Sequence, residues 1–242
     1  MHIGLIALDE RPVNVRYPVM IADIAGVRVS QPPEDLRGYL KSAADSEAIG
    51  NWLLKNAEQF DALIVSIETL GYGGLILSRI TSDRLYTILK RLDVLRTVKQ
   101  QHPDLKIYGF NVITRISYSD DTTEEPDYWA EYGPDLYRFS QLYDQQLQGQ
   151  DVALDLEVLK NKIPAHYRHD FVKRRMRNHA VNLATLEMLV DSVFDLLVIS
   201  SDDTSAYGFG TREKRWLAEW IDRMGGDARL LMYPGADEVG AA

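Results

Sequence analysis

The chain reads as an α/β protein built on a mostly parallel sheet, and three observations predict this. Apolar runs of about five residues recur along it, each is followed by a polar cluster, and a longer stretch with helical spacing then leads to the next run. The runs are nearly continuous in apolar residues rather than alternating, as expected of parallel strands covered by helices on both faces.

The first predicted strand, Ile3 to Leu8, is an unbroken apolar run that ends at Asp9-Glu10. A short one follows near Val27 to Val29. The spacing then predicts a helix over Ser46 to Ala57, a strand over Ala62 to Ile67 and a long helix over Ser82 to Gln101, capped by Ser82. The fourth strand is Lys106 to Val112. Helices over Pro134 to Gln148, Ala153 to Lys160 and Pro164 to Val190 follow with no strand between them, so residues from about 118 to 190 are expected to form a helical elaboration of one crossover. Leu196 to Ser200 is the fifth strand. Thr211 with Glu213 and Lys214 opens a last helix, which Gly225-Gly226 closes after Met224, and Arg229 to Tyr233 is the sixth strand. Six strands are too few for a closed eight-stranded (β/α) barrel, which leaves an open doubly wound sheet or an incomplete barrel-like one. The final Gly235-Ala236-Asp237-Glu238 turn has the look of a strand leading into a helix, so the chain is expected to be either a fragment or truncated at a domain boundary. Self-association through an uncovered sheet edge is the expected consequence.

With 242 residues the chain can bury a core without covalent staples. It has no cysteine, which removes disulfides, thiol nucleophiles and zinc–thiolate sites from consideration and fits a reducing compartment. The opening MHIGLIALDERP places charge directly after a short apolar run, unlike a signal peptide, and no stretch reaches the roughly 20 apolar residues of a membrane span. A cytoplasmic protein with no membrane partner is expected. The 36 acidic residues outnumber the 27 basic ones, so nucleic acid is not an expected partner. The basic run Lys173, Arg174, Arg175, Arg177 falls in a helical pattern beside Asp170 and reads as a solvated helix face.

Sites in parallel α/β folds form at the carboxyl ends of strands, and there the polar residues of this chain gather. Asp9, Glu10, Arg11 and Asn14 follow the first strand; Glu68, Tyr72 and Arg79 follow the third; Asn111 and Arg115 close the fourth. Asp202, Asp203 and Tyr207 follow the fifth, and Asp237 and Glu238 the sixth. Asp202 and Asp203 stand out, because an apolar Leu-Leu-Val-Ile-Ser strand delivers both to its tip. Adjacent carboxylates cannot both enter one cavity cheaply, so one would bind or protonate substrate while the other orients it or caps a helix. Asp9, Glu68 and Asp237 are the candidate partners for an acid and base pair of the kind glycoside hydrolysis uses. Arg11, Arg79 and Arg115 would clamp an anionic group or else neutralise the neighbouring carboxylates. The remaining strand-end residues, Glu10, Asn14, Tyr72, Asn111, Tyr207 and Glu238, are candidate substrate ligands.

Other motifs carry less. Gly71-Tyr72-Gly73-Gly74 lacks the spacing of a dinucleotide fingerprint or a Walker loop, and Ser201 and Ser205 lack a nucleophile elbow. His166 and His169 share a helix face without an accompanying carboxylate motif, so no metal site is expected from them. No cofactor is indicated by these residues.

The segments LDERPVN (8–14), PPEDLRG (32–38), IVSIETLGYGGLILSR (64–79), YGFNVITRIS (108–117), ISSDDTSAYGFGTREKRWL (199–217) and YPGADEVG (233–240) resemble the bacterial family catalogued as domain of unknown function 4127. The resemblance spans nearly the whole chain. Members are usually about twice this length, which implies an N-terminal half, and the family brings no activity with it. The strand-end residues themselves point to an enzyme acting on a small polar substrate, foremost a carbohydrate-active hydrolase. A non-catalytic sugar- or metabolite-binding module and a metal-dependent hydrolase are the alternatives.

Overall fold

A computed structural model describes residues 1–202 and 205–235. Six parallel strands, β1 (His2–Ile6), β2 (Arg28–Ser30), β3 (Ala62–Ser66), β4 (Lys106–Ile113), β5 (Leu196–Ser201) and β6 (Leu230–Pro234), form one open sheet in the order β2-β1-β3-β4-β5-β6. The sheet is doubly wound and does not close, so of the two expected architectures the barrel-like one is set aside. The chain leaves β1 toward β2, then crosses back to β3 on the other flank of β1. That reversal makes the gap between the ends of β1 and β3 the topological switch point, the place where such sheets bind ligands.

The helices are α1 (Pro12–Val15), α2 (Tyr17–Ile24), α3 (Ser46–Asn56), α4 (Ile67–Tyr72), α5 (Leu75–Ile80), α6 (Leu85–Leu92), α7 (Val94–Gln101), α8 (Trp129–Leu147), α9 (Ala153–Lys162), α10 (Ala165–Val190) and α11 (Phe209–Arg223). The expected helical elaboration is present as α8, α9 and α10. Ser82 does not cap: the long helix begins at Leu85 behind Arg84 and is interrupted at Asp93. Pro134 falls inside α8 rather than at its start. Gly225 and Gly226, both with positive φ, close α11 as expected.

Alternate residues of each strand face opposite sides of the sheet. Leu63, Val65, Ile107, Ile113, Leu197 and Ile199 join the main core with Leu53, Leu70, Leu92, Leu95, Val98, Val181 and Leu189 from the helices. The other face is thinly covered. Leu8 and Leu75 shield Phe110 and Val112 in a small second cluster, while Ile64, Tyr108, Leu196, Val198 and Tyr233 stay half-buried and Leu231 is 45% exposed. The two faces are therefore covered unequally.

The basic run of α10 is a solvated face only at Lys173. Arg175 and Arg177 are buried. Arg177 donates to the carbonyls of Ser78 and Thr81, and Arg174 to those of Ile80 and Thr81, so the two supply donors to the carbonyls that the end of α5 leaves unpaired.

Candidate active site

The site is assembled where β3, β4 and β5 end. Ser66 finishes β3 and its Oγ accepts from the backbone N–H of Thr69 at 3.2 Å, turning the chain at once into α4. Gly73 stops α4 in the left-handed region, with φ of 91°, and a Cβ there would sit 2.9 Å from that of Ala43. Gly74 at φ of 139° starts α5, whose last turn carries Arg79. This double helical step brings Arg79, with a side chain only 4% exposed, back over the strand ends.

Three carboxylates converge on that guanidinium. Nη1 donates to Glu124 Oε2 at 2.7 Å and lies 3.8 Å from Glu125 Oε1, and Nη2 donates to Asp202 Oδ2 at 3.2 Å. Arg115 adds a 2.9 Å bond to Glu124 and stands 4.0 Å from Asp202. The arginines thus neutralise a carboxylate cluster, the second of the two roles expected of them. Glu125 is 5% exposed, and its Oε1 lacks a hydrogen bond among the described residues. Burial pushes its carboxyl up to about 7, against the opposing pull of Arg79 and Arg115. It shares a hollow of about 20 Å³, room for a single water, with Ile116, Trp129 and Phe171.

Glu124 also lines a second site. It closes one end of a larger cleft of about 80 Å³ at the switch point, between the ends of β1 and β3. Asp9, Glu10, Arg11, Thr69, Gly73 and Gly74 also line this cleft. Asp9 is held by a local ring of donors: Oδ1 accepts from Asn14 Nδ2 at 2.7 Å and from the Arg11 backbone at 3.0 Å, and Oδ2 from Arg11 Nη2 at 2.6 Å. Glu10 accepts from the backbone of Leu40 at 3.0 Å.

The sequence matches, over residues 3–242, a family described as protein of unknown function (DUF4127). The chain belongs to the DUF4127 family. No curated protein and no solved structure matches it. In this DUF4127 protein the motifs that carry the resemblance end at one edge of the sheet: LDERPVN after β1, the IETLGYGG turn after β3, NVITR at the end of β4 and the SSD tip of β5.

Of the expected site residues, Arg79, Arg115 and Asp202 meet in the cluster, and Asp9, Glu10, Arg11 and Asn14 surround the adjoining cleft or its wall. Glu68, Tyr72 and Asn111 lie beneath. Glu68 is 1% exposed, and its Oε1 accepts the Val112 backbone N–H at 2.7 Å, extending the ladder beyond the point where β3 gives way to α4. Burial pushes this carboxyl also to about 7. The Tyr72 ring lies under the Arg177 guanidinium, 5.1 Å away. Asn111 turns toward α10 and donates to Asn182 Oδ1 at 2.9 Å and Thr185 Oγ1 at 3.1 Å. Tyr207 sits apart, accepting from Gln150 at 2.8 Å. Asp203, Asp237 and Glu238 lie outside the described residues.

Glu124 and Glu125 did not emerge from the sequence. They stand eleven and twelve residues beyond the end of β4, in a run of Asp, Thr and Glu that reads as solvated loop. The following Pro126 and the nearby Tyr128-Trp129 pair were the available signal, since both rings are drawn into an apolar cluster. Among the described residues no three His, Asp or Glu side chains converge as metal ligands would.

Proposed function

We propose that this protein is an acid–base enzyme acting on a small, uncharged polar substrate, and that the reaction is hydrolysis of a glycosidic bond. The observation that carries the reading is Glu125: a sealed carboxyl with an unbonded oxygen, pushed up to about 7, beside the arginine that fixes Asp202. Two carboxylates in contrasting surroundings are the arrangement that separates a proton donor from an ionised partner.

In this reading protonated Glu125 gives its proton to the leaving oxygen as the carbon–oxygen bond breaks. Asp202, held on Arg79, stabilises the developing positive charge and activates the water or attacks the sugar carbon itself. The distance between the carboxylates at work decides the stereochemistry. Asp9 and Glu68, both expected from the sequence as catalytic carboxylates, take supporting parts, Asp9 shaping the cleft and Glu68 locking α4 to β4. Arg79, Arg115 and Arg175 are matched by Glu124, Asp202 and Glu213, so a charged substrate gains little and hydroxyl groups suit the site better. A substrate seated in the switch-point cleft reaches Glu125 only when the loop from Thr114 to Tyr128 parts, which fits binding-driven assembly of the site.

A panel of aryl glycosides assayed for release of the phenol tests this. Turnover is expected, with kcat/KM falling as pH rises through about 7, and Glu125→Gln should abolish it while the protein stays folded. Tight binding of a sugar without turnover would replace the enzyme with a binding module, and full activity in Glu125→Gln would remove the proposed acid.

A further inference from the structure

On the far side of the helical layer, α8, α10 and α11 leave a groove of about 600 Å³ between them. Its walls are aromatic: Phe139 and Tyr143 from α8, Phe209 and Trp216 from α11. Met176 at its rim is 69% exposed. The charges around it are not balanced. Arg175 is paired with Glu213, through Nε at 2.9 Å and through Nη2. Asp144 is fully buried and its oxygens are taken by Arg215, at 2.5 and 2.6 Å, and by the backbone N–H of Gly208. Arg212 is left with a 3.7 Å contact to that same occupied carboxylate and a place 4.5 Å over the Trp216 ring. Among the described residues its guanidinium makes no hydrogen bond.

A large apolar groove with one under-used cation at its edge is complementary to an apolar body carrying one negative charge. We propose that the groove is a second ligand site, separate from the carboxylate cluster, which takes a hydrophobic carboxylate. The body packs against Phe209 and Trp216, and the carboxylate receives the paired N–H groups of Arg212, already held flat by the indole. Nothing in this depends on the reaction at Glu125.

Calorimetric titration with naphthalene-2-carboxylate and with its neutral isostere naphthalene-2-carboxamide tests the site. The carboxylate is expected to bind about ten-fold more tightly than the amide. Arg212→Gln should bring the carboxylate down to the level of the amide and leave the amide unchanged. Met176→Glu, a change at an exposed rim position that poses no folding risk, should weaken the carboxylate alone. Equal affinity for the two compounds, no binding of either, or an undiminished preference in both variants would overturn the proposal. So would sedimentation showing a dimer that Met176→Glu dissociates, because the groove would then belong to a second copy of the chain.

Discussion

Glu68 and Glu125 have both been pushed by burial to about 7, yet they are placed for different ends. Each holds a proton in the folded chain at pH values where the unfolded chain has lost it. The stabilising contribution is complete below about 4.5 and is lost as pH rises through about 7, by about 3 kcal/mol for each group. Glu68→Gln keeps an acceptor for Val112 N–H and removes the charge, so urea melts at pH 8 should show a more stable protein, with roughly half the wild-type slope between pH 5 and 8. An unchanged slope would mean that Glu68 is ionised in the fold. Asp202→Asn should cost only about 1 kcal/mol, because Arg79 keeps Glu124. Arg79→Leu removes the buried cation that Glu124, Glu125 and Asp202 share, with Glu124 still on Arg115, and should cost about 3 kcal/mol, read from the same melts. Arg115 and Asp202 were legible because each follows a strand directly, whereas Arg79 lies two short helices beyond β3 and is carried back to the strand ends by α5. Glu125 was not, since its burial depends on a loop that folds back onto Trp129 and Phe171. Asn111 was misleading for a simpler reason: strand alternation turns it to the helix side, away from the cleft.

At the level of elements, the step from α4 to α5 depends on glycine and on borrowed arginines. Gly73→Ala forces a Cβ into the left-handed region and against Ala43, and should lower stability by about 1–3 kcal/mol. It should also shift Arg79, and the proposed glycosidase activity, assayed in the same variant, should then fall by more than the melt explains. The long helices α3, α10 and α11 were readable from their spacing, within a few residues at either end. The six-residue helices α4 and α5 were not, because so short a span gives no periodicity to recognise, and the Gly-rich turn between them reads as loop. The basic run of α10 was misread for want of its partners: a guanidinium that serves the last carbonyls of another helix looks the same in sequence as one facing water.

For the molecule as a whole, the alternation of strands and helices announced a parallel sheet, and the continuous apolar strands announced burial on both faces. Neither revealed the strand order, which decides where the switch point falls, or that the two faces would be covered so unequally. Ile64, Tyr108, Leu196, Val198 and Leu231 form a band across four strands on the thin side. Parallel sheets are rarely left so, and self-association that hides this band is the expected behaviour at high concentration. Sedimentation of wild type against Leu231→Lys checks it, with the variant expected to stay monomeric. The thermal signature follows from the chemistry of the surface. Hiding apolar side chains lowers heat capacity and is driven near room temperature by the release of water, so such a complex loosens on ice and tightens on the bench. A preparation that scatters light when warmed and clears when chilled would carry the mark of that half-covered face.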